Sequence, residues 1–202
     1  MDAKKFSTKQ LVEMALLTAI IILLAFTPIG YIRTLGLEIT LIVVPVTVGA
    51  VTLGPVAGAV LGAVFGITSF IQCFGMSPFG AALLGINPVF TCVVCIVPRL
   101  LMGWLTGYIY QGLKKGKLLK KAAVVLANLI GPILNTVLFM GTLVFLFYRT
   151  EFIQGIAQTL GTSNALAFVA AFVGLNGVIE AAACFVVGSA ISKALQAALK
   201  LS

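Results

Sequence analysis

The sequence predicts an all-α integral membrane protein, a single transmembrane domain over residues 1–202 with six helical spans and both termini on the cytoplasmic side. Three observations carry that expectation. Hydrophobic residues make up 61% of the chain, charged residues only 9%, and the mean hydropathy is +1.19, so lipid is the solvent for most of it. About six stretches approach the roughly twenty apolar residues that cross a bilayer. The basic residues gather at alternate ends of those stretches, as cytoplasmic loops require.

The first span runs from Thr8 to Phe26 behind Lys4, Lys5 and Lys9. It is long and has no small-x-small cleavage site before the next span, so it reads as a retained helix. Ala15 and Ala19, four apart on one face near the cytoplasmic end, form a small-residue patch where another helix can dock closely. Glu13 lies in the first turns, where the interface and the helix N-terminus favour a carboxylate, and no chemistry is assigned to it.

Thr27 to Glu38 follows as an outer loop rich in glycine, proline and apolar side chains. The second span, Glu38 to Leu53, is short and contains Pro45. Only Leu53-Gly54 separates it from the third, Pro55 to Cys73. There Gly54, Gly58, Gly62 and Gly66 recur at every fourth position, which predicts one bare helical face for a close-packed or sliding seam. Each internal glycine costs up to about 1 kcal/mol in a soluble helix, and close packing in a bilayer offsets that. A second apolar outer loop, Cys73 to Pro88, suits either a lid over a pocket or a re-entrant segment.

The remaining spans are Pro88 to Leu113, Ala122 to Phe147 and Ala165 to Leu195. Orientation follows from lysines. Lys4, Lys5 and Lys9, the cluster Lys114, Lys115, Lys117, Lys120 and Lys121, and Lys193 and Lys200 fall on one side, against Arg33 and Arg149 on the other. The net charge of +8 is therefore topological and calls for no nucleic acid, although the basic surface suits anionic lipid or an acidic partner.

Composition also excludes chemistry. With no histidine, metalloprotease and histidine-triad mechanisms drop out, and no Gly-x-x-x-x-Gly-Lys-Ser/Thr loop is present for ATP. Cys73, Cys92, Cys95 and Cys184 lie in or beside apolar segments; the Cys92-Val-Val-Cys95 spacing has no second pair to complete a metal or redox site, so they read as small buried residues. No cofactor or metal is expected.

Polar residues in mid-membrane are expensive and mark function by default. Arg99, Asn135 and Asn176 come from three different spans at one depth, roughly 16 to 18 Å below the outer boundary at 1.5 Å per residue. Glu180 shares the Asn176 face one turn deeper, and Thr136 adjoins Asn135. Two readings stand side by side. Arg99 and Glu180 neutralise one another while the asparagines bond helices together, or the group lines a substrate pocket with Arg99 for a carboxylate and Asn135 and Asn176 for hydroxyl or amide groups. Asn128, two turns nearer the cytoplasm, reads as packing glue. Asn87, just before Pro88, either caps the fourth span or meets a ligand.

Together these residues resemble the substrate-binding S components of energy-coupling factor (ECF) vitamin transporters. The resemblance covers nearly the whole chain, through Ala15 and Ala19 on the first helix, Leu53-Gly54-Pro55-Val56-Ala57-Gly58-Ala59 and Val97-Pro98-Arg99-Leu100-Leu101-Met102-Gly103. Gly85-Ile86-Asn87-Pro88, Gly131-Pro132-Ile133-Leu134-Asn135-Thr136 and Leu175-Asn176-Gly177-Val178-Ile179-Glu180 look most like the pantothenate-type branch. The resemblance implies a binding subunit, not an enzyme, in a bacterial plasma membrane. Its partners would be a vitamin, a transmembrane T component docking on Ala15 and Ala19, and two cytoplasmic ATPases. Pyridoxine, folate or a queuosine precursor also satisfy such a pocket. A stand-alone secondary transporter is the competing class, though no repeat between halves supports it. An intramembrane hydrolase using Ser69, Cys92 or Glu180 lacks a partner base.

Overall fold

The computed structural model describes residues 7–27, 31–33, 38–116 and 122–199, with only the backbone described at 31–33, 38–40, 175–181, 183–184 and 196–199. Within these residues the chain forms eight helices and a short hairpin: α1 (Thr8–Ala25), β1 (Tyr31–Arg33), β2 (Glu38–Thr40), α2 (Val43–Thr52), α3 (Pro55–Gln72), α4 (Pro78–Ile86), α5 (Pro88–Lys115), α6 (Ala123–Phe147), α7 (Glu151–Thr159) and α8 (Ala165–Leu199). Of the described helices, α1, α3, α5 and α6 are long and apolar enough to cross a membrane. The lysines at 4, 5, 117, 120, 121 and 200 lie outside the described residues.

Helix starts are written in the sequence. Ser7 opens α1 with a capping box, its Oγ accepting from the Gln10 N–H while Gln10 Oε1 accepts from the Ser7 N–H. Three helices then begin with proline as first residue, α3 after Gly54, α4 after Ser77 and α5 after Asn87. Proline suits that position because its missing N–H has no helical acceptor there.

The glycine ladder is the seam between α3 and α5. A Cβ on Gly58 would lie 2.3 Å from the Gly103 carbonyl oxygen, one on Gly62 2.2 Å from that of Arg99, and one on Gly66 2.6 Å from Ile96 Cα. Gly103 reciprocates, since its own Cβ would meet the Gly58 carbonyl oxygen at 2.0 Å. Backbone thus touches backbone over two turns. Gly54 departs from the expected face: it caps the start of α3 at φ 102°, where a side chain would be strained.

Two expected spans are corrected. Residues 38–40, assigned from sequence to the second span, form β2, paired antiparallel with β1 with the backbones of Arg33 and Glu38 in register. The β-branched Ile39 and Thr40 suit an extended strand, and the helix that follows is only α2. Every residue of α2 from Val43 to Val51 is buried, the pattern of a helix enclosed on all sides by others. The sixth span is broken at Gly174, whose φ 36° and ψ −135° leave the helical region and divide α8 into two arms. The second outer loop contains α4, and the connection after α6 contains α7, which buries Ile153 and Ala157.

Contacts between helix ends complete the frame. Gln72, at the end of α3 and 7% exposed, donates through Nε2 to the carbonyl of Ala25, the last residue of α1. The Ala25 carbonyl is one of the end groups a helix leaves without an internal donor. Gln72→Leu is expected to lower stability by about 1 to 3 kcal/mol, read as a fall in the thermal unfolding midpoint with the oligomeric profile unchanged. An unaltered midpoint would show that the Ala25 carbonyl finds another donor.

Candidate functional site

Arg99 is the buried cation around which the candidate site is built, and its placement follows from the residue before it. Pro98 lies inside α5 and lacks an N–H, so the carbonyl of Val94, four residues earlier, loses its helical donor. Arg99 Nη1 donates to that carbonyl at 2.6 Å. The guanidinium lies 5.5 Å from the Phe65 ring centroid on α3 and 4.4 Å from that of Phe139 on α6. A cation against aromatic faces is favoured most where water is excluded, and Arg99 is only 8% exposed. The Gly62 contact holds this turn of α5 against α3, so the seam positions the cation.

Asn135 lies one turn from Phe139 on α6, on the same face, and is 8% exposed. Its Oδ1 is buried and accepts no hydrogen bond among the described residues. A buried amide oxygen left so is costly unless a ligand or water supplies a donor. The sequence singled out Arg99 and Asn135, and the structure brings both to the Phe139 side of α6. Phe65 and Phe139, whose rings lie near the cation, were not anticipated; the one signal was Phe139 at four residues from Asn135.

The other expected site residues divide. Thr136 is half-buried beside Asn135. Asn87 Oδ1 accepts from the Phe90 N–H at 3.1 Å and caps α5, the first of its two readings. The side chains of Asn176 and Glu180 lie outside the described residues, and so does the expected ion pair with Arg99; the backbone there is helical, just beyond the Gly174 break. Asn128 is the packing contact expected of it, donating through Nδ2 to the Val124 carbonyl and to Ser192 Oγ on α8.

Aromatic rings from α4, α7 and α8 meet one another. Phe79 of α4 meets Phe152 of α7 at 5.8 Å and Phe172 of α8 at 5.6 Å between centroids, and Phe168 stacks on Phe172 at 5.3 Å. Phe139, the ring beside Arg99, also packs against the cluster of Leu83, Val94, Leu143, Phe147, Ile153 and Phe168. Helix α1 buries Leu17, Ile21 and Ala25 in the same core cluster as Phe65 and leaves Ala15 and Ala19 exposed with Val12, Leu16 and Leu23.

No curated protein matches the chain. A family model for the ECF transporter substrate-specific component matches residues 9–192, which takes in every described helix but Thr8 of α1 and the last turns of α8. That match makes the chain a multi-pass transport subunit and not an enzyme, a part that works with ECF T and ATPase subunits on a vitamin-type substrate. The chain belongs to the ECF transporter substrate-specific component family.

Proposed function

We propose that this chain captures a carboxylate-bearing vitamin, pantothenate above others, at Arg99 and Asn135, in a six-span arrangement with both termini cytoplasmic. The observation that carries the proposal is a buried guanidinium, flanked by Phe65 and Phe139, on the same side of α6 as a buried amide oxygen that accepts no bond among the described residues. A guanidinium presents five donors in a planar fork, so it can hold the Val94 carbonyl and meet a carboxylate together. Asn135 Oδ1 then accepts from an amide N–H or hydroxyl of the same molecule. Pantothenate offers a carboxylate, an amide and hydroxyl groups.

The break at Gly174 supports this reading. It lies just ahead of Asn176, and interrupted helices serve binding sites inside membranes. Helix α4 is then the lid, latched by Phe79 on α7 and α8. Vitamin enters from outside, α4 and the first outer connection close over it, and the subunit topples so that the site faces the cytoplasm. The T component and two ATPases drive or reset that step, docking on the exposed Ala15 and Ala19 face of α1. Ala15→Trp and Ala19→Trp are expected to leave vitamin binding within about twofold while abolishing co-purification of the coupling subunits. A complex that survives both changes would place the docking face elsewhere.

The proposal is tested by thermal stabilisation of the purified protein against a panel of vitamins. A ligand at roughly 100 times its Kd adds about 2.7 kcal/mol to stability. Pantothenate is expected to lead the panel.

A further inference from the structure

The thiol facing Cys95 comes from Cys73, 22 residues upstream, rather than from the Cys92 that its sequence spacing suggested. The two Sγ atoms lie 3.8 Å apart and both residues are buried. Cys73 closes α3, and Cys95 sits about two turns into α5. We propose that Cys73 and Cys95 are an oxidative modification site, a buried dithiol that a small neutral oxidant of the hydroperoxide class closes to a disulfide.

Three features of the surroundings favour that chemistry. The sulfurs need to approach by less than about 2 Å to reach bonding distance, which side-chain rotation supplies when the backbones allow it. Burial among apolar side chains turns away charged oxidants but admits hydrogen peroxide. It also places the second thiol against the first, so the oxidised sulfur is captured before it proceeds further. In the first step one sulfur attacks a peroxide oxygen; the O–O bond breaks, a sulfenic acid forms, and the departing hydroxide takes the thiol proton and leaves as water. In the second step the other sulfur attacks the sulfenic sulfur; the S–S bond forms, the S–O bond breaks, and the hydroxyl leaves with the second thiol proton as another water. Two thiols are oxidised by two electrons while one peroxide is reduced to two waters.

The position gives the bond a consequence, which rests on the reading of α4 as the lid. Cys73 is the first residue after α3, and its sulfur packs against α4, where a Cβ on Gly80 would lie 2.6 Å from Cys73 Sγ. Cys95 precedes Arg99 by four residues and so shares its face of α5 one turn further out. The disulfide therefore ties the foot of the lid to the helix that carries the cation. Capture and release both slow, because the lid can no longer swing.

The experiment treats the full chain in lipid nanodiscs with hydrogen peroxide, alkylates the remaining thiols, and maps peptides without reduction. The expected product is an intramolecular Cys73 to Cys95 disulfide, lighter by two hydrogens, reversed by dithiothreitol, formed in Cys92→Ser and absent in Cys73→Ser. Exchange of bound pantothenate then slows at least about tenfold and recovers on reduction. Thiols that remain alkylatable, oxidation that runs on to sulfinic or sulfonic acid, or a bond to Cys92 or between chains would overturn the site. A disulfide that leaves exchange unchanged would overturn the clamp. If the reduced protein binds no vitamin, the functional reading above fails, and the modification site stands or falls on the mass alone.

Discussion

Gly62→Leu is expected to prevent folding outright, and Gly62→Ala to cost about 1 to 3 kcal/mol. The reason is the atom that a new Cβ meets. At Gly62 it is the backbone carbonyl oxygen of Arg99 at 2.2 Å, with the Arg99 carbonyl carbon at 2.9 Å behind it. No rotamer relieves a clash of Cβ with backbone, so α3 and α5 must separate, and the turn bearing Arg99 moves with them. Gly141→Ala on α6 is the matched control. Among the described residues nothing lies within 4 Å of a Cβ there, so the change is expected to be neutral or stabilising by up to about 1 kcal/mol. Size-exclusion profiles and thermal unfolding of the variants decide the matter. Gly62→Ala with the stability of the unmodified chain would mean that the seam is looser than a backbone contact.

Arg99→Ala is expected to weaken binding of an anionic vitamin by about 3 kcal/mol, a rise in Kd of at least roughly 100-fold. Part of any effect will be structural, because Arg99 Nη1 also holds the Val94 carbonyl that Pro98 leaves without a helical donor. The two roles separate in measurement. Loss of the carbonyl contact lowers the unfolding midpoint without ligand, whereas loss of the carboxylate partner lowers affinity for the acid and spares a neutral analogue. A variant that is less stable but binds the acid with unchanged affinity would reduce Arg99 to the first role.

Much of this fold was legible because lipid makes the rules strict. Long apolar stretches, proline after a capping residue and glycine at every fourth position each have one physical meaning, and α1, α3, α5 and α6 follow from them. What escaped was short or tertiary in origin. The hairpin of β1 and β2 sits in a stretch whose apolar composition also suits a helix end, and the Gly174 break depends on a backbone conformation that composition does not reveal. Helix α7 was hidden because nine residues with a polar face fall below any span-length criterion.

The candidate site was half visible for the same reason. Arg99 and Asn135 stand out because charge and amide groups are rare at mid-membrane, whereas phenylalanines are common there and nothing marks Phe65 and Phe139 as the pair that flanks the cation. Asn87 is a reminder that a polar residue before proline has a local use, here the cap of α5. Cys73 and Cys95 are distant in sequence and meet only because α3 packs against α5.

The central claim, capture of a carboxylate-bearing vitamin by Arg99, is tested most directly by comparing pantothenate with pantothenol, in which an alcohol replaces the carboxylate, as stabilisers of the purified chain. Pantothenate is expected to raise the unfolding midpoint at concentrations where pantothenol does little, with an affinity gap of at least about tenfold, or 1.4 kcal/mol. Equal stabilisation by both compounds, or by neither, would contradict it.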